Sequence, residues 1–355
     1  MDKFLIDGHK LYWHLDRVKE WQNKKYIPPI YLEVSPVSYC NQRCIFCGVD
    51  FAMKDKHILN TDVFIEGIKG LGKAGLKSIM FAGEGEPFLH KDIDKFIDTA
   101  KKCGIDAAIT TNGSVGNEDL FNRIIPNLSW IKFSVDAGTK DIYEIVHQSP
   151  KHIFDRVINN IKTIVEIRNK NKLKTSIGVQ FLIMEENLKD IENSINLFSD
   201  VGVDYIVFKP FSKHPQMIKT KDIDYNSNTL DYIENICNKN KEKLNIIFRR
   251  DSFEKYIIKS KKFEHCYALP FWGYIDSRGD FYTCSVFIGD DRFKAGNIYS
   301  DGIKDILFSD KRKLSIDFGV GNLEIANECR INCRMARVNE FLEMLSNKPE
   351  HVNFI

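Results

Sequence analysis

An α/β protein built on a parallel sheet is the fold this sequence predicts, and three observations predict it. From Tyr31 onward, short strand-like apolar runs alternate with longer helical ones, the pattern of parallel strands with helices packed outside. The chain has 355 residues, 43% of them hydrophobic, with 21 glycines and 10 prolines, which suits one large folded unit or two domains. No run approaches the roughly 18–20 apolar residues of a membrane span.

Residues 9–25 read as an amphipathic helix, because Leu11, Tyr12, Leu15, Val18 and Trp21 recur at helical spacing. Strands are expected at 31–36, 77–82, 106–111, 130–136, 175–183 and 204–209. Helices are expected near 61–74, 91–103, 117–125, 140–170 and 187–201, with right-handed connections. A helix over 226–242 and a strand over 244–248 follow. Residues 274–282 read as a β-hairpin whose turn is the Asp276, Ser277, Gly279 cluster. In barrel-like α/β folds the chemistry sits at the C-terminal ends of the strands, so those ends are where candidate residues belong.

Charge excludes some functions. Lys plus Arg number 51 against 49 Asp plus Glu, a formal +2, so no general attraction to nucleic acid follows. The basic run 168–174 reads as solvated surface. The stretch from Met1 to Gly8 lacks the apolar core of a signal peptide, so a cytoplasmic protein with no membrane partner is expected. Thiols stay reduced there, and nine cysteines then point to metal rather than disulfides.

The first strand runs into Cys40-Asn41-Gln42-Arg43-Cys44-Ile45-Phe46-Cys47, a C-x3-C-x2-C loop. Three thiolates this close can hold three corners of a metal centre, and the next cysteine, Cys103, is far along the chain. A structural zinc site normally takes four protein ligands. A [4Fe–4S] cluster on three cysteines leaves one iron open. A zinc knuckle with a distant fourth ligand and buried free thiols are the alternatives on chemistry alone. The loop, with an aromatic before its last cysteine, resembles the radical S-adenosylmethionine (SAM) superfamily. The resemblance implies a cluster on Cys40, Cys44 and Cys47, which are then the catalytic residues, with the amino and carboxylate groups of AdoMet on the open iron. It also implies a partial (β/α)6 barrel core over residues 31–211.

The other strand ends are consistent with that family. Gly83-Glu84-Gly85-Glu86-Pro87 resembles its GGEP element, with Glu84 where relatives more often have glycine. The likeness implies AdoMet contact by Gly85 and Glu86, since glycine lets backbone approach and a carboxylate accepts from an ammonium. Thr111-Asn112-Gly113 resembles its TNG ending and brings Asn112 to the site or to its shaping. Ser134-Val135-Asp136 resembles its S-x-D, implying ribose contact by Ser134 and Asp136. Gln180 faces the same region. His147 lies where many relatives carry arginine and is assigned no role. Polar groups over 209–214, Ser212 included, face substrate or are loop residues, and Arg249, Arg250 and Asp251 read as solvated charge. Cys103 and Cys237 lie in helical stretches and read as buried.

The last third carries Cys266, Cys284, Cys329 and Cys333. Four thiolates, two flanking a hairpin and two close together, can close a tetrahedral zinc site or ligate a cubane. The pattern C-x12-G-x4-C with a distant pair resembles the SPASM/twitch extension of radical SAM enzymes in its shorter form. That likeness implies two [4Fe–4S] clusters in all, AdoMet, and a division into an extension (1–30), core (31–211), connector (212–260), auxiliary-cluster domain (261–345) and tail (346–355). It further implies a one-electron donor such as flavodoxin or ferredoxin and hydrogen abstraction from a small polar substrate: a sugar, sugar nucleotide or aminocyclitol. Oxidation of a secondary alcohol is the expected reaction, with the second cluster as electron acceptor. Redox-neutral epimerisation or dehydration, or modification of a ribosomal peptide, stands as the alternative, and the short leader favours the small molecule.

Overall fold

The computed structural model describes residues 4–5, 8–53, 55–211, 213–219 and 225–354; residues 1–3, 6 and 7 and Ser212 of the stretches discussed above lie outside the described residues. Strands β1 (Tyr31–Val34), β2 (Ser78–Phe81), β3 (Asp106–Thr111), β4 (Leu128–Ser134), β5 (Ser176–Ile183) and β6 (Tyr205–Pro210) form within two residues of their expected bounds. With β7 (Asn245–Phe248), β8 (Trp272–Ile275), β9 (Asp280–Tyr282) and β10 (Lys294–Asn297) they make one sheet, ordered β10-β9-β8-β1-β2-β3-β4-β5-β6-β7. Pairing is parallel from β8 through β7 and antiparallel at β8–β9 and β9–β10.

Side chains alternate across each strand, and the two faces differ. Leu32, Val34, Ile79, Phe81, Ile109, Ile131, Phe133, Val179, Phe181, Ile206 and Phe208 point outward and are wholly buried. Covering them are α2 (Thr61–Lys73), α3 (Ile93–Lys102), α4 (Glu118–Ile124), α6 (Lys151–Lys170) and α7 (Ile191–Val201), through Phe64, Phe96, Phe121, Ile161 and Phe198. The alternate residues Tyr31, Met80, Ala108, Trp130, Lys132, Tyr205, Val207 and Trp272 all line one cavity of about 480 Å³. Strands from β8 to β6 therefore curl around a common lumen, a partial barrel. Helix starts follow local chemistry: Asn60 accepts from the amides of Asp62 and Val63, and Asn117 from that of Leu120.

Three elements depart from expectation. The N-terminal helix, α1 (Leu15–Lys24), starts six residues late, after a 3-10 turn at Leu11–Trp13 and a break at His14. The break shifts the helical register, so Leu11, Val18 and Trp21 pack against Ile27, Ile30, Phe271 and Leu342 while Tyr12 and Leu15 face solvent. The stretch 140–170 is two helices, α5 (Lys140–His147) and α6, because Pro150 has no N–H and Gln148 turns left-handed at φ 49°. Finally, the parallel run does not stop at six strands: β7 extends one edge, and β8, the first strand of the hairpin, pairs with β1 on the other.

The C-terminal third includes α8 (Ser227–Lys239), α9 (Arg250–Ile258), α10 (Ile303–Phe308), α11 (Asp310–Gly321), α12 (Ile325–Glu328) and α13 (Ala336–Ser346). Arg312 on α11 is 1% exposed. Its Nη1 donates to Ile27 O at 3.0 Å and Leu307 O at 2.9 Å, and its Nη2 to Pro270 O at 3.0 Å. One guanidinium thus holds three carbonyls from the N-terminal segment, the end of α10 and the turn before β8. Burial without a carboxylate holds its pKa down to about 10. Arg312→Met leaves those carbonyls unpaired and should lower stability by about 2–4 kcal/mol in urea unfolding; an unchanged midpoint would show that the three segments are held by packing alone.

Candidate active site and metal centres

The cysteine loop leaves β1 and is pinned on both sides. Gly85 approaches so closely that a Cβ there would lie 2.2 Å from Tyr39 O, and Glu86 N donates to Tyr39 O at 3.1 Å. On the far side Ile45 N donates to Val146 O at 3.0 Å and Arg43 N to His147 O at 3.3 Å, at the end of α5. The loop is thereby clamped between the end of β2 and the end of α5. Cys40, Cys44 and Cys47 all line one cavity of about 160 Å³. Burial first, then neighbouring charge, pushes the Cys40 thiol up to about 11 and raises Cys44 and Cys47 as well. Thiols held this way give up their protons to a metal rather than to water. The donor set fits a cubane, which takes each thiolate at a separate iron. Among the described residues no three His, Cys, Asp or Glu side chains converge on a single-ion position.

Gly85, Glu86, Asn112 and Ser134 line the same cavity. Glu86 is 2% exposed, and its carboxylate accepts from Thr111 Oγ1 at 2.6 Å, Asn112 N at 2.7 Å and Phe88 N at 3.1 Å. It ties the end of β2 to the end of β3 and faces the cavity with its remaining acceptor capacity. Asn112 Nδ2 donates to Asn41 Oδ1 at 2.9 Å and reaches Cys40 Sγ at 3.6 Å. Gln180 stands behind Ser134, with Nε2 3.4 Å from its hydroxyl, and is not in the cavity wall.

Asp136, expected from the S-x-D likeness to touch the ribose, is placed differently from Ser134. It is wholly buried, outside the cavity lining, and Oδ1 accepts from Leu182 N on β5. The reason is its place one residue beyond Val135, whose N donates to Gln180 O: the chain here still tracks β5, so the carboxylate turns to the β5 backbone. Burial pushes its carboxyl up to about 7, and Oδ2 has no hydrogen-bond partner among the described residues.

His147, to which the sequence assigns no role, stands against the loop. Asp136 N donates to its Nε2 at 3.0 Å, and burial keeps the ring neutral, its pKa down to about 3. The ring proton then belongs on Nδ1, which lies 3.3 Å from Cys44 Sγ. The imidazole is thus set as an N–H donor to the Cys44 sulfur, a contact of the kind that tunes a cluster's potential where such a sulfur holds one. No single-chain signal marks it; only the packing of α5 on the loop does.

Glu84 links this site to the hairpin. Its carboxylate accepts from Ser277 Oγ at 2.7 Å and Tyr274 Oη at 3.4 Å. Burial, then the charge of Asp276, pushes it up to about 7, against the pull of Ser277 and Arg278. Beyond it lie the remaining thiols. Cys266, Cys284 and Cys333 sit in a second apolar cluster with Leu269, Trp272, Phe287 and Phe293. The Cys329 and Cys333 thiols act on each other, which lowers the latter and raises the former, while burial, then Cys333, pushes Cys266 up to about 12. All four sulfurs are thus mutual neighbours. Asn339 Nδ2 reaches Cys266 Sγ at 3.6 Å, and Met335 N reaches Cys333 Sγ at 3.4 Å. Cys103 is half-buried at the end of α3 and Cys237 is buried, both apart from these sets. Arg250 is a surface hub to Asp231, Glu234 and Glu254, and Asp251 pairs with Arg337, as solvated charge does.

Two outcomes follow from this geometry. A glutamate whose folded pKa lies above its unfolded value favours folding below about pH 4.5 and loses that contribution as pH rises through about 7. Glu84→Gln should therefore gain on the parent protein by up to about 3 kcal/mol between pH 5 and 8 in chemical unfolding; parallel pH profiles would show the carboxylate ionising freely. For His147, replacement by Leu should lower the midpoint potential of a cluster reconstituted on the loop, and replacement by Asn, whose amide Nδ2–H can stand where the imidazole Nδ1–H was, should restore it. Equal potentials in an EPR-monitored titration would make the contact mere packing.

Residues 34–198 match the family model described as the Radical SAM superfamily. The chain is 28% identical over 246 residues to a probable GTP 3′,8-cyclase of Methanocaldococcus jannaschii, covering 66% of this chain and 74% of that protein. It is 37% identical over 103 residues to the S-adenosylmethionine-dependent nucleotide dehydratase of Lacinutrix mariniflava, covering 28% of this chain and 21% of that one. Of the similar Saccharolobus proteins, also named probable GTP 3′,8-cyclases, the chain spans 54%. Among solved structures, Streptococcus suis SuiB bound to precursor peptide SuiA superposes with a TM-score of 0.68 at 16% identity, covering 98% of this chain and 82% of that one. Native anSMEcpe with bound AdoMet superposes at 0.58 and 18%, covering 88% and 89%. At these identities the two structures share the fold. Residues 34–198 are thus a radical SAM-type domain, and that superfamily implies a [4Fe–4S] cluster and AdoMet.

Proposed function

We propose that this chain abstracts hydrogen from a small polar substrate held in the barrel lumen and oxidises a secondary alcohol on it. One observation carries this reading: the cavity that Cys40, Cys44 and Cys47 wall together with Gly85, Glu86, Asn112 and Ser134 lies one step along β4 from the lumen. Ser134, in the wall of the first thiol cavity, is two residues from Lys132 on the same face of β4, and Lys132 lines the lumen. At the other side Arg334 and Met335 line it, directly after Cys333. Cys40, Cys44 and Cys47 would hold the first cluster, with AdoMet against Gly85, Glu86, Asn112 and Ser134. Bound there, the cluster supplies the electron that splits AdoMet to a 5′-deoxyadenosyl radical. Cys266, Cys284, Cys329 and Cys333 would hold a second cluster that accepts the electron left on the substrate, while the hydroxyl proton leaves to a base. A flavodoxin or ferredoxin would feed the first cluster.

In this reading residues 31–211 are the core, 261–345 the auxiliary-cluster unit, 212–260 the connector, 1–30 an extension and 346–355 a tail. The curated relatives support a sugar nucleotide among the small polar substrates, because their names specify GTP and nucleotides. Those names, a cyclase and a dehydratase, also favour a second reading, redox-neutral rearrangement or dehydration of such a substrate. Likeness to the peptide-bound SuiB structure extends to fold only, so peptide modification gains nothing from it.

Anaerobically reconstituted protein should hold about eight irons and eight sulfides. Changing Cys40, Cys44 and Cys47 together to Ala should remove half of them and all AdoMet cleavage; cleavage surviving in that variant, or zinc without sulfide in the parent protein, would overturn the assignment. Cys284→Ala, once shown to stay folded, separates the two readings: 5′-deoxyadenosine without oxidised product supports electron transfer to the second cluster, and full turnover supports the redox-neutral reaction.

A further inference from the structure

Basic side chains gather at and above the lumen, whose own lining includes one carboxylate, Asp106. Lys132 enters it from β4, beside Arg334 in the same cavity wall. Lys209 shares its face of β6 with Tyr205 and Val207, which line that cavity. Arg249 follows the end of β7, and Arg330 and Arg334 come from the segment between α12 and α13. These groups act on one another. Burial, then Lys132, Arg249, Arg334 and Arg330, holds the Lys209 ammonium well below its ordinary range. Burial, then Arg334, holds Lys132 down to about 8, with Glu33 pulling the other way.

Glu33 does not neutralise the set, because both of its oxygens are taken by the Arg334 guanidinium. Asp136 lies near Lys209 but has turned Oδ1 to Leu182 N. Among the described residues neither lysine has an ion-pair partner, and Lys132 instead rests 5.3 Å from the centre of the Trp130 ring. Arg330 Nε is buried without a hydrogen-bond partner among the described residues. Arg330 and Arg334 adjoin Cys329 and Cys333, where the charge of a bound cluster would account for part of their placement. Lys132 and Lys209, on strands of the opposite wall, are not explained in that way. Two half-buried ammonium groups without an ion-pair partner, such as Lys132 and Lys209, are costly unless an anion joins them.

We propose that Lys132 and Lys209, with Arg330 beside them, bind the phosphate or diphosphate group of a phosphorylated small-molecule substrate inside the barrel. The inference rests on the small-molecule reading above and selects its phosphorylated branch. Several cations match an anion of more than one charge, and a lysine ammonium is a point-charge partner for phosphate. Met80, Ala108, Trp130 and Val207 supply the less polar wall of the same cavity.

The test is calorimetric titration of inorganic pyrophosphate into the reconstituted full chain with AdoMet, alongside citrate and neutral myo-inositol. Pyrophosphate should bind, more weakly as salt rises, and better than citrate, with myo-inositol far behind. Lys132→Gln and Lys209→Gln should each weaken it by at least ~10-fold, the loss of one charge-assisted contact, with AdoMet affinity unchanged. Pyrophosphate should also raise the unfolding temperature of the parent protein but not of the double variant, which itself should unfold no earlier, because it loses unpaired buried charge. Equal pyrophosphate affinity in the parent and the double variant, or citrate binding as tightly, would overturn the proposal. Pyrophosphate binding that survives in a protein unable to cleave AdoMet would leave the anion site standing and end the radical reading alone.

Discussion

The alternation of side chains across a pleated strand is the constraint on which the rest of this molecule depends. In a parallel sheet covered by helices, every second residue must be apolar, and the outward series from Leu32 to Phe208 obeys this without exception. The other series is released from that demand once the sheet curls, because it faces a lumen rather than a packed layer. Polar and charged residues then collect there: Glu33, Lys132, Ser134, Gln180 and Lys209 each sit between two outward-facing hydrophobic neighbours. One period of two thus separates the residues that make the fold from those free to do chemistry.

Metal chemistry in such a place depends on the scaffold around the thiols as much as on the thiols. The first cysteine loop packs Ile45 and Phe46 on the main core and is clamped by backbone hydrogen bonds to the ends of β2 and α5. Gly85 is required there because Tyr39 O leaves no room for a side chain. The second set is different. Three of its four cysteines are embedded in an apolar cluster, and Asn339 and the amide of Met335 supply donors to the sulfurs. The first set lines an open cavity, whereas Cys266 and Cys284 of the second are buried.

Much of the fold is legible in the residues. Six strands and the helices between them follow from hydrophobic period and length, and the cysteine spacing and the Gly85-Glu86-Pro87 and Thr111-Asn112-Gly113 endings mark the strand ends that meet. Other features are not local properties. The break at His14 is not announced by a proline or glycine, so periodicity continues through it on paper. Asp136 has the right spacing after Ser134, yet the β5 backbone claims its carboxylate. His147 departs from the residue common among relatives, and its importance comes from a contact with Cys44, 103 positions away. Lys132 was open to the same parity argument that brings Ser134 inward, since both lie on one face of β4.

By itself the sequence determined the α/β class, the positions of the central strands, and two groups of cysteines whose spacing speaks of metal. These are encoded in short-range pattern: the pitch of a helix, the pleat of a strand, the reach of neighbouring thiols. Only the tertiary structure decided that the C-terminal hairpin extends the barrel sheet beside β1, that Cys266, Cys284, Cys329 and Cys333 become neighbours, and that Lys132 of β4 and Arg334 after α12 line one lumen. Each of these joins residues far apart in the chain, and whether such groups meet depends on how far the sheet curls and which edge each late strand joins. No local pattern carries that information, because backbone hydrogen bonds pair either edge equally well and packing over the whole domain makes the choice.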